Sequence, residues 1–382
     1  MKARPHIVVI GAGAFGGWTA LHLLERGARV TLIDAWGPGN SRSSSGGETR
    51  VMRGTYGPDQ PYTEMAARAL KLWAKYERKW KRQFLHRTGV LWMAAGRDDV
   101  FERGSVEMLR AAKIEYQELS AEQMKKRWSQ INFEGIEWGI FEPECGYLEA
   151  RSSCAAVVEA FVKGGGKYRQ AGALADGLED RAHVALSDGS RLKADLYVFA
   201  CGPWLGELFP QTVGPLVRAT KQDVIFFGTP AGDTSFHAPN IPVWADHRGK
   251  FRYGIPGTDR RGFKIADDTR GPMFDPTNGE RIVDAQTLQE IREYVGFRFP
   301  ALRHAPLIET RVCQYEQTPD GHFVVDRHPN RANVWLLGGG SGHGFKHGPA
   351  VGEMMADLIL KDREPAPLWR LERFRSHSPR KA

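Results

Sequence analysis

HIVVIGAGAFGGWTALHLLERGARVTLID, residues 6–34, decides the fold. HIVVI is a short β-branched run that reads as a buried strand. It runs into Gly11, Gly13 and Gly16, a G-x-G-x-x-G. WTALHLLERGA then has helical apolar spacing and stops at Gly27, and RVTLID returns as a second strand ending on Asp34. Gly11 permits the tight turn, Gly13 lets a pyrophosphate approach the backbone, and Gly16 lets helix and strand pack closely. The helix start offers unpaired N–H groups and a positive dipole end to phosphate. Asp34 is placed to accept hydrogen bonds from a ribose. Strand, glycines, helix, second strand and terminal acid together predict a dinucleotide site, without separating NAD from FAD.

Composition narrows the remainder. With 382 residues, 41% hydrophobic and 26% charged, the chain is expected to be globular and too long for one ordinary core. The net charge of +8 is spread along the chain, with local clusters only at KYERKWKR and in the last residues. A nucleic-acid binder concentrates such charge, so small anionic ligands are the expected partners and nucleic acid is not. Cys145, Cys154, Cys201 and Cys313 form no C-x-x-C, so neither zinc nor any other metal is expected. Their spacing offers no disulfide framework, which places the protein in a reducing, cytoplasmic setting. MKARPH followed by an apolar run mimics a signal peptide, but the glycines explain that run better, and no later segment is apolar enough to span a membrane.

Further along, WGPGNSRSSSGGETRVMRGTYG (residues 36–57) reads as a ligand-touching loop. Residues 61–84 read as an amphipathic helix and TGVLWMA as a strand. SVEMLRAAKIEYQELSAEQMKKRW reads as two helical pieces, with SAEQ as a capping box. SSCAAVVEAFVKGGG reads as a helix, and HVALSDGSRLKADLYVFACG as an Asp-Gly hairpin followed by a buried strand. DVIFFG, KFRYGIP and FKIAD look like antiparallel strands with an exposed face, before a helix at TLQEIREYVGFRF and a return to α/β texture. The expected fold is therefore α/β plus α+β. A Rossmann-like FAD-binding domain of glutathione-reductase type (residues 1–84, 146–220 and 322–382) surrounds a substrate domain on a mostly antiparallel sheet (residues 85–145 and 221–321).

The ordered set VIGAGAFG, GETRVMRGTYG, TGVLWM, IFEPECGYL, FACGPW, KFRYGIP, FKIADD, VCQYEQTPDGHFVVDRHP and GGGSGHGFKHGPAVGE covers nearly the whole chain. It resembles the monomeric sarcosine oxidase group, with the N-methyl and fructosyl amino acid oxidases, among D-amino-acid-oxidase-like FAD enzymes. The resemblance settles FAD over NAD. It implies oxidation of a C–N bond in a small amino acid or secondary amine, with O2 reduced to hydrogen peroxide by a monomeric enzyme. Gly11, Gly13, Gly16, Asp34, Thr49, Gly342, His343 and Gly344 would contact the cofactor, and Cys313 would hold it through an 8α-methyl thioether. Read on its own residues, Cys313 is a small buried hydrophobe.

The same resemblance puts the substrate carboxylate on Arg53 and Lys346. A guanidinium fork and an ammonium point charge suit that task. Arg50 and Lys264 would line the flavin, Lys264 promoting the reaction with O2. Tyr253 and Tyr315 would line the substrate pocket. The bland readings are an Arg53 paired with Glu48, a surface Lys346 and two core tyrosines. Departures from the group are Asp268 in place of a histidine, Trp244 in place of a smaller apolar residue and Pro58 in place of an acid. They predict a pocket retuned for a larger or more polar amine than sarcosine, with Trp244 in its wall. A dehydrogenase with another electron acceptor, or a non-catalytic FAD-binding subunit, are the alternatives.

Overall fold

The computed structural model describes residues 4–96, 98–175, 183–258 and 261–375. His6–Ile10 is an inner strand of a six-stranded sheet, parallel on one side to Arg29–Asp34 and on the other to Leu196–Phe199. A strand with parallel neighbours and covered faces has no solvent side, hence its unbroken apolar run: Ile7, Val8 and Val9 are fully buried. Lys167–Gln170 and Arg331–Gly338 extend the sheet in parallel, and Val324–His328 closes it antiparallel. Gly11 has φ +103°, and a Cβ there would collide with the Ala200 carbonyl. A Cβ on Gly16 would strike the Gly11 carbonyl, so the helix Ala14–Glu25 lies on its strand only because both are glycine.

The second large sheet has eight strands, ordered Leu307–Gln317, Arg218–Phe227, Gly262–Asp267, Arg252–Thr258, Val243–Asp246, Val90–Ala94, Trp138–Glu142 and Gln117–Ser120. All its pairings are antiparallel except that of Val243–Asp246 with Val90–Ala94. Side chains alternate across such a sheet and paired residues share a face. The register puts Cys313, Tyr315, Lys264, Tyr253, Trp92 and Glu142 on one face. Phe263, Ile265, Trp244, Leu91, Met93 and Phe141 fall on the other, packed in one cluster with Ile291 and Val295 of the helix Ala285–Arg298.

Three expectations need correcting here. The central strands have no exposed face: Ile255, Lys264 and Phe226 on one side and Phe263 and Ile265 on the other are all buried. SVEMLRAAKIEYQELSAEQMKKRW is not only helical. Between the helices Val100–Ala111 and Ala121–Arg127 it forms the edge strand Gln117–Ser120, while Ser120 does build the capping box with Gln123. The segment 36–57 is not all loop. Thr49–Met52 is a strand paired with Gly146–Glu149 in a three-stranded sheet.

Candidate functional site

A cavity of about 570 Å³ runs from the start of the first helix to the eight-stranded sheet. Gly11, Gly13, Asp34 and Trp36 line one end, and Arg50, Tyr315, Gly342 and Phe345 the other. The first helix carries no acid in its first turn and no side-chain cap at Gly13, and its first amide, that of Ala14, donates to the neutral Ser45 hydroxyl (3.2 Å), so the N-terminal dipole points at the cavity. Asp34 accepts the amides of Ala12 (2.8 Å), Trp36 (2.9 Å) and Gly37 (2.7 Å), which pins the glycine turn. Burial raises its carboxyl against the pull of those three N–H groups. Size, glycine cradle and open helix terminus fit an extended dinucleotide. Thr49 and Lys264 line neither this cavity nor the smaller one next to it; Thr49 adjoins Arg50, which does, and accepts from Lys264 through its carbonyl, while Gly344 lines the large cavity directly. Glu316, which sequence reasoning passed over, also lines it; burial pushes its carboxyl up to about 7.

A second cavity, of about 50 Å³, shares Arg50, Tyr315, Gly342 and Phe345 with the first. Its other walls include Arg53, Trp92, Phe251, Tyr253, Asp268 and Lys346, so residues from seven separated segments meet around one small space. The Arg53 guanidinium lies over the rings of Tyr56 (4.2 Å) and Trp92 (4.9 Å) and donates to the Thr55 carbonyl. Glu48, its suspected partner, pairs instead with Arg261 (3.0 Å) and Arg311 (3.6 Å). Lys346 is buried and donates to the Tyr56 hydroxyl (2.9 Å) and the His343 carbonyl (2.8 Å). Burial, then the charge of Arg53, holds its amine well below the usual lysine range. Among the described residues neither Arg53 nor Lys346 has a carboxylate within ion-pairing distance.

Lys264 is buried and donates to the Thr49 carbonyl (3.0 Å), and burial with the neighbouring Arg50 lowers it to about 7. Arg50 reaches the carbonyls of Thr49 (2.8 Å) and Ser44 (2.5 Å), and its Nη2 lies 3.3 Å from the Cys313 sulfur. The thiol thus stands one guanidinium away from the larger cavity. Tyr315 donates to Asp268 Oδ1 (2.6 Å), whose carboxyl burial raises to about 6. Burial also raises the Tyr253 and Tyr315 hydroxyls, with the Asp268 charge next in importance.

One expected pocket residue is misplaced. Trp244 borders the small cavity through its position in the strand, but its indole lies on the opposite face of the sheet, against Phe263, Tyr294 and Phe299. Bulk at residue 244 therefore fills the core and leaves the substrate space alone.

Sequence reasoning missed several supports. Glu142 is fully buried and accepts from the Gly54 amide (2.6 Å), the Thr55 amide (3.2 Å) and the Thr55 hydroxyl (2.5 Å), clamping the turn after Arg53. The Tyr56 hydroxyl joins Lys346 to His347 Nε2 (2.7 Å) and His343 Nδ1 (3.3 Å). His343 also meets the Gly321 carbonyl through Nε2 (3.0 Å), and burial pushes its ring down to about 3, so it is a neutral wall. The signals were their places in two of the landmark stretches, IFEPECGYL for Glu142 and GETRVMRGTYG for Tyr56.

Fold and joined cavities define a dinucleotide-dependent oxidoreductase whose substrate space is built around unpaired cations. The chain belongs to the DAO family of FAD dependent oxidoreductases, whose model matches residues 6–358. It is 28% identical over 363 residues to the monomeric sarcosine oxidase of Bacillus sp. (strain NS-129), covering 94% of this chain and 93% of that one. Its fold is similar to L-proline dehydrogenase from P. horikoshii, with a TM-score of 0.84 at 22% identity over the whole of both chains. A fructosyl peptide oxidase from Aspergillus nidulans gives a TM-score of 0.81 at 20% identity, covering 97% of this chain and 94% of that one.

Proposed function

We propose that the protein oxidises the C–N bond of a small, carboxylate-bearing secondary amine to an imine, and that the electrons pass to O2 as hydrogen peroxide. One observation carries this reading: Arg53 and Lys346, without a carboxylate partner among the described residues, line a small aromatic cavity that shares four residues with the cofactor cavity. The names of the relatives, sarcosine oxidase above all, support it. Bound FAD supplies the two-electron acceptor. Gly11, Gly13, Gly16, Asp34, Thr49, Gly342, His343 and Gly344 are the residues proposed to hold it.

Arg53 grips the substrate carboxylate in a two-point fork and Lys346 completes the anion site. Trp92, Phe251 and Tyr253 exclude water and hold the reacting C–H toward Arg50 and Tyr315, where the two cavities join. Lys264, in its protonated form, places a fixed positive charge where O2 gains negative charge. Cys313 is the proposed covalent attachment point, supported by its contact with Arg50. The two-part division of the chain is supported by which segments supply which sheet: the cofactor cavity starts at the six-stranded sheet and reaches the eight-stranded one, while the substrate cavity adjoins the eight-stranded sheet. The monomeric state is supported by the name of a relative, monomeric sarcosine oxidase, and the cytoplasmic setting by four free cysteines. No helix of the described residues is long and apolar enough to cross a membrane.

The experiment is a peroxide assay over N-methyl, cyclic and glycated amino acids, followed by acid precipitation of the yellow protein. Peroxide from the smallest N-methyl or cyclic substrates is expected, with flavin in the pellet of the wild type and in the supernatant for Cys313→Ser. No peroxide with any member of the panel overturns the oxidase reading. Wild-type flavin in the supernatant overturns the attachment alone.

A further inference from the structure

Among the residues lining the small cavity, Asp268 is the sole carboxylate. It follows the strand Gly262–Asp267, and its amide donates to the Phe251 carbonyl (2.8 Å), which fixes it at the wall shared with Arg53 and Lys346. The Tyr315 hydroxyl occupies Oδ1, and Oδ2 has no partner among the described residues. Opposite charges that share so small a space ordinarily collapse into an ion pair. Here they are held apart. Arg53 is stacked on Tyr56 and Trp92, and Lys346 is tied to Tyr56 and the His343 carbonyl. The cavity thus offers a cationic region and a separate anionic oxygen, the complement of a zwitterion.

We propose that Asp268 accepts the ammonium proton of the bound substrate, so that the enzyme takes small zwitterionic amino acids rather than neutral amines or amino acids already deprotonated. The inference rests on the amine-oxidising reading above. In the step, one N–H bond breaks and one O–H bond forms at Asp268 Oδ2. The electron pair stays on nitrogen as the lone pair that amine oxidation requires, and the substrate carboxylate stays with Arg53 and Lys346.

Other groups facing Asp268 are poorly placed for this. Tyr253 and Tyr315 keep their protons because burial raises both. Arg50 and Arg53 are permanently charged. His343 has both ring nitrogens engaged, and the Lys346 amine is committed to its two acceptors. Asp267, the adjoining acid, accepts the Thr269 amide from the next turn. Burial also makes Asp268 readier to hold a proton than an exposed aspartate, while Tyr315, Arg53 and Lys346 keep it ionised at neutral pH.

The test is anaerobic flavin reduction by N-methylglycine and L-proline across pH, in wild type, Asp268→Asn and Tyr315→Phe. Wild type is expected to lose rate as pH falls through about 6, where Asp268 takes up its own proton. Asp268→Asn is expected to be roughly 10²-fold slower or worse near neutral pH. It should recover at high pH, once the free amine has lost its proton in water, and should still bind methoxyacetate, a nitrogen-free carboxylate, as read by the flavin spectrum. A wild-type pH profile in Asp268→Asn, or equal slowing at every pH, overturns the proposal. If Asp268→Asn retains no flavin, Tyr315→Phe decides. Loss of its hydrogen bond must move the acid limb to higher pH, and an unmoved limb overturns the proposal. A wild type reduced by neither amine, with no peroxide from the wider panel, instead overturns the functional reading on which this rests.

Discussion

The two faces of the eight-stranded sheet handle buried charge in opposite ways. On the far face Arg298 and Asp246 are fully buried 2.6 Å apart, and Asp246 also accepts from Tyr294 (2.7 Å). Arg298 spends its remaining donors on the carbonyls of Asn132 and Glu134. On the near face Lys264, Lys346 and Arg53 meet, among the described residues, only carbonyls, the hydroxyls of Thr49 and Tyr56, and aromatic rings. A satisfied pair serves the core, because its desolvation cost is offset by mutual attraction. Cations lacking carboxylates keep their attraction in reserve for an incoming anion, at a cost in folding free energy visible in the depressed lysines. Of these charges only Lys264 and Asp246 stand on the sheet itself. Arg298 comes from the covering helix, Arg53 from the chain just past the strand Thr49–Met52 and Lys346 from the turn Phe345–His347, so the difference lies in what packs on each face as much as in the alternation.

The comparison breaks most readily on the far face. Arg298→Met leaves Asp246 buried without a counter-charge and is expected to cost about 3–5 kcal/mol in unfolding free energy, measured as a shift of the urea midpoint. A loss below 1 kcal/mol would mean that the pair is not a structural element. On the near face Lys264→Met is expected to slow reoxidation of the reduced enzyme by O2 roughly 10²–10³-fold while anaerobic reduction changes little. Stopped-flow measurement of both half-reactions checks this, and equal slowing of the two would refute the division of labour. The smallest effect is expected for Arg53→Lys, which keeps the charge and loses the fork: about tenfold in kcat/KM, carried mainly by KM. An unchanged KM would remove Arg53 from the anion grip.

What could be read in the sequence was local. Residues 6–34 contain a whole strand–turn–helix–strand unit whose local pattern made the nucleotide half legible, although Gly16 answers to Gly11 within the unit while Gly11 answers to Ala200 from a distant part of the chain. The site residues were legible only through a resemblance that carries position along the chain and not the direction of a side chain. Trp244 shows the limit: in VWAD all four residues are buried, so no polar alternation reveals which face each one takes. QELS was missed for the converse reason, since an edge strand exposed on most of its length has no apolar pattern to show. Glu142 and Gly54 are 88 residues apart, and nothing short of the three-dimensional register brings them together.

That Glu142 clamp separates two things which evolution could otherwise change only together. The turn bearing Arg53 is fastened from below by a carboxylate outside the cavity's lining. Phe251, Asp268 and Tyr253 form walls that take no part in the fastening, whereas Trp92 also carries the Arg53 guanidinium on its ring. Walls can therefore be exchanged to admit a different amine while the grip on its carboxylate stays in place. A designer wishing to change specificity should leave residues 53–55 and 142 untouched and work on the rim.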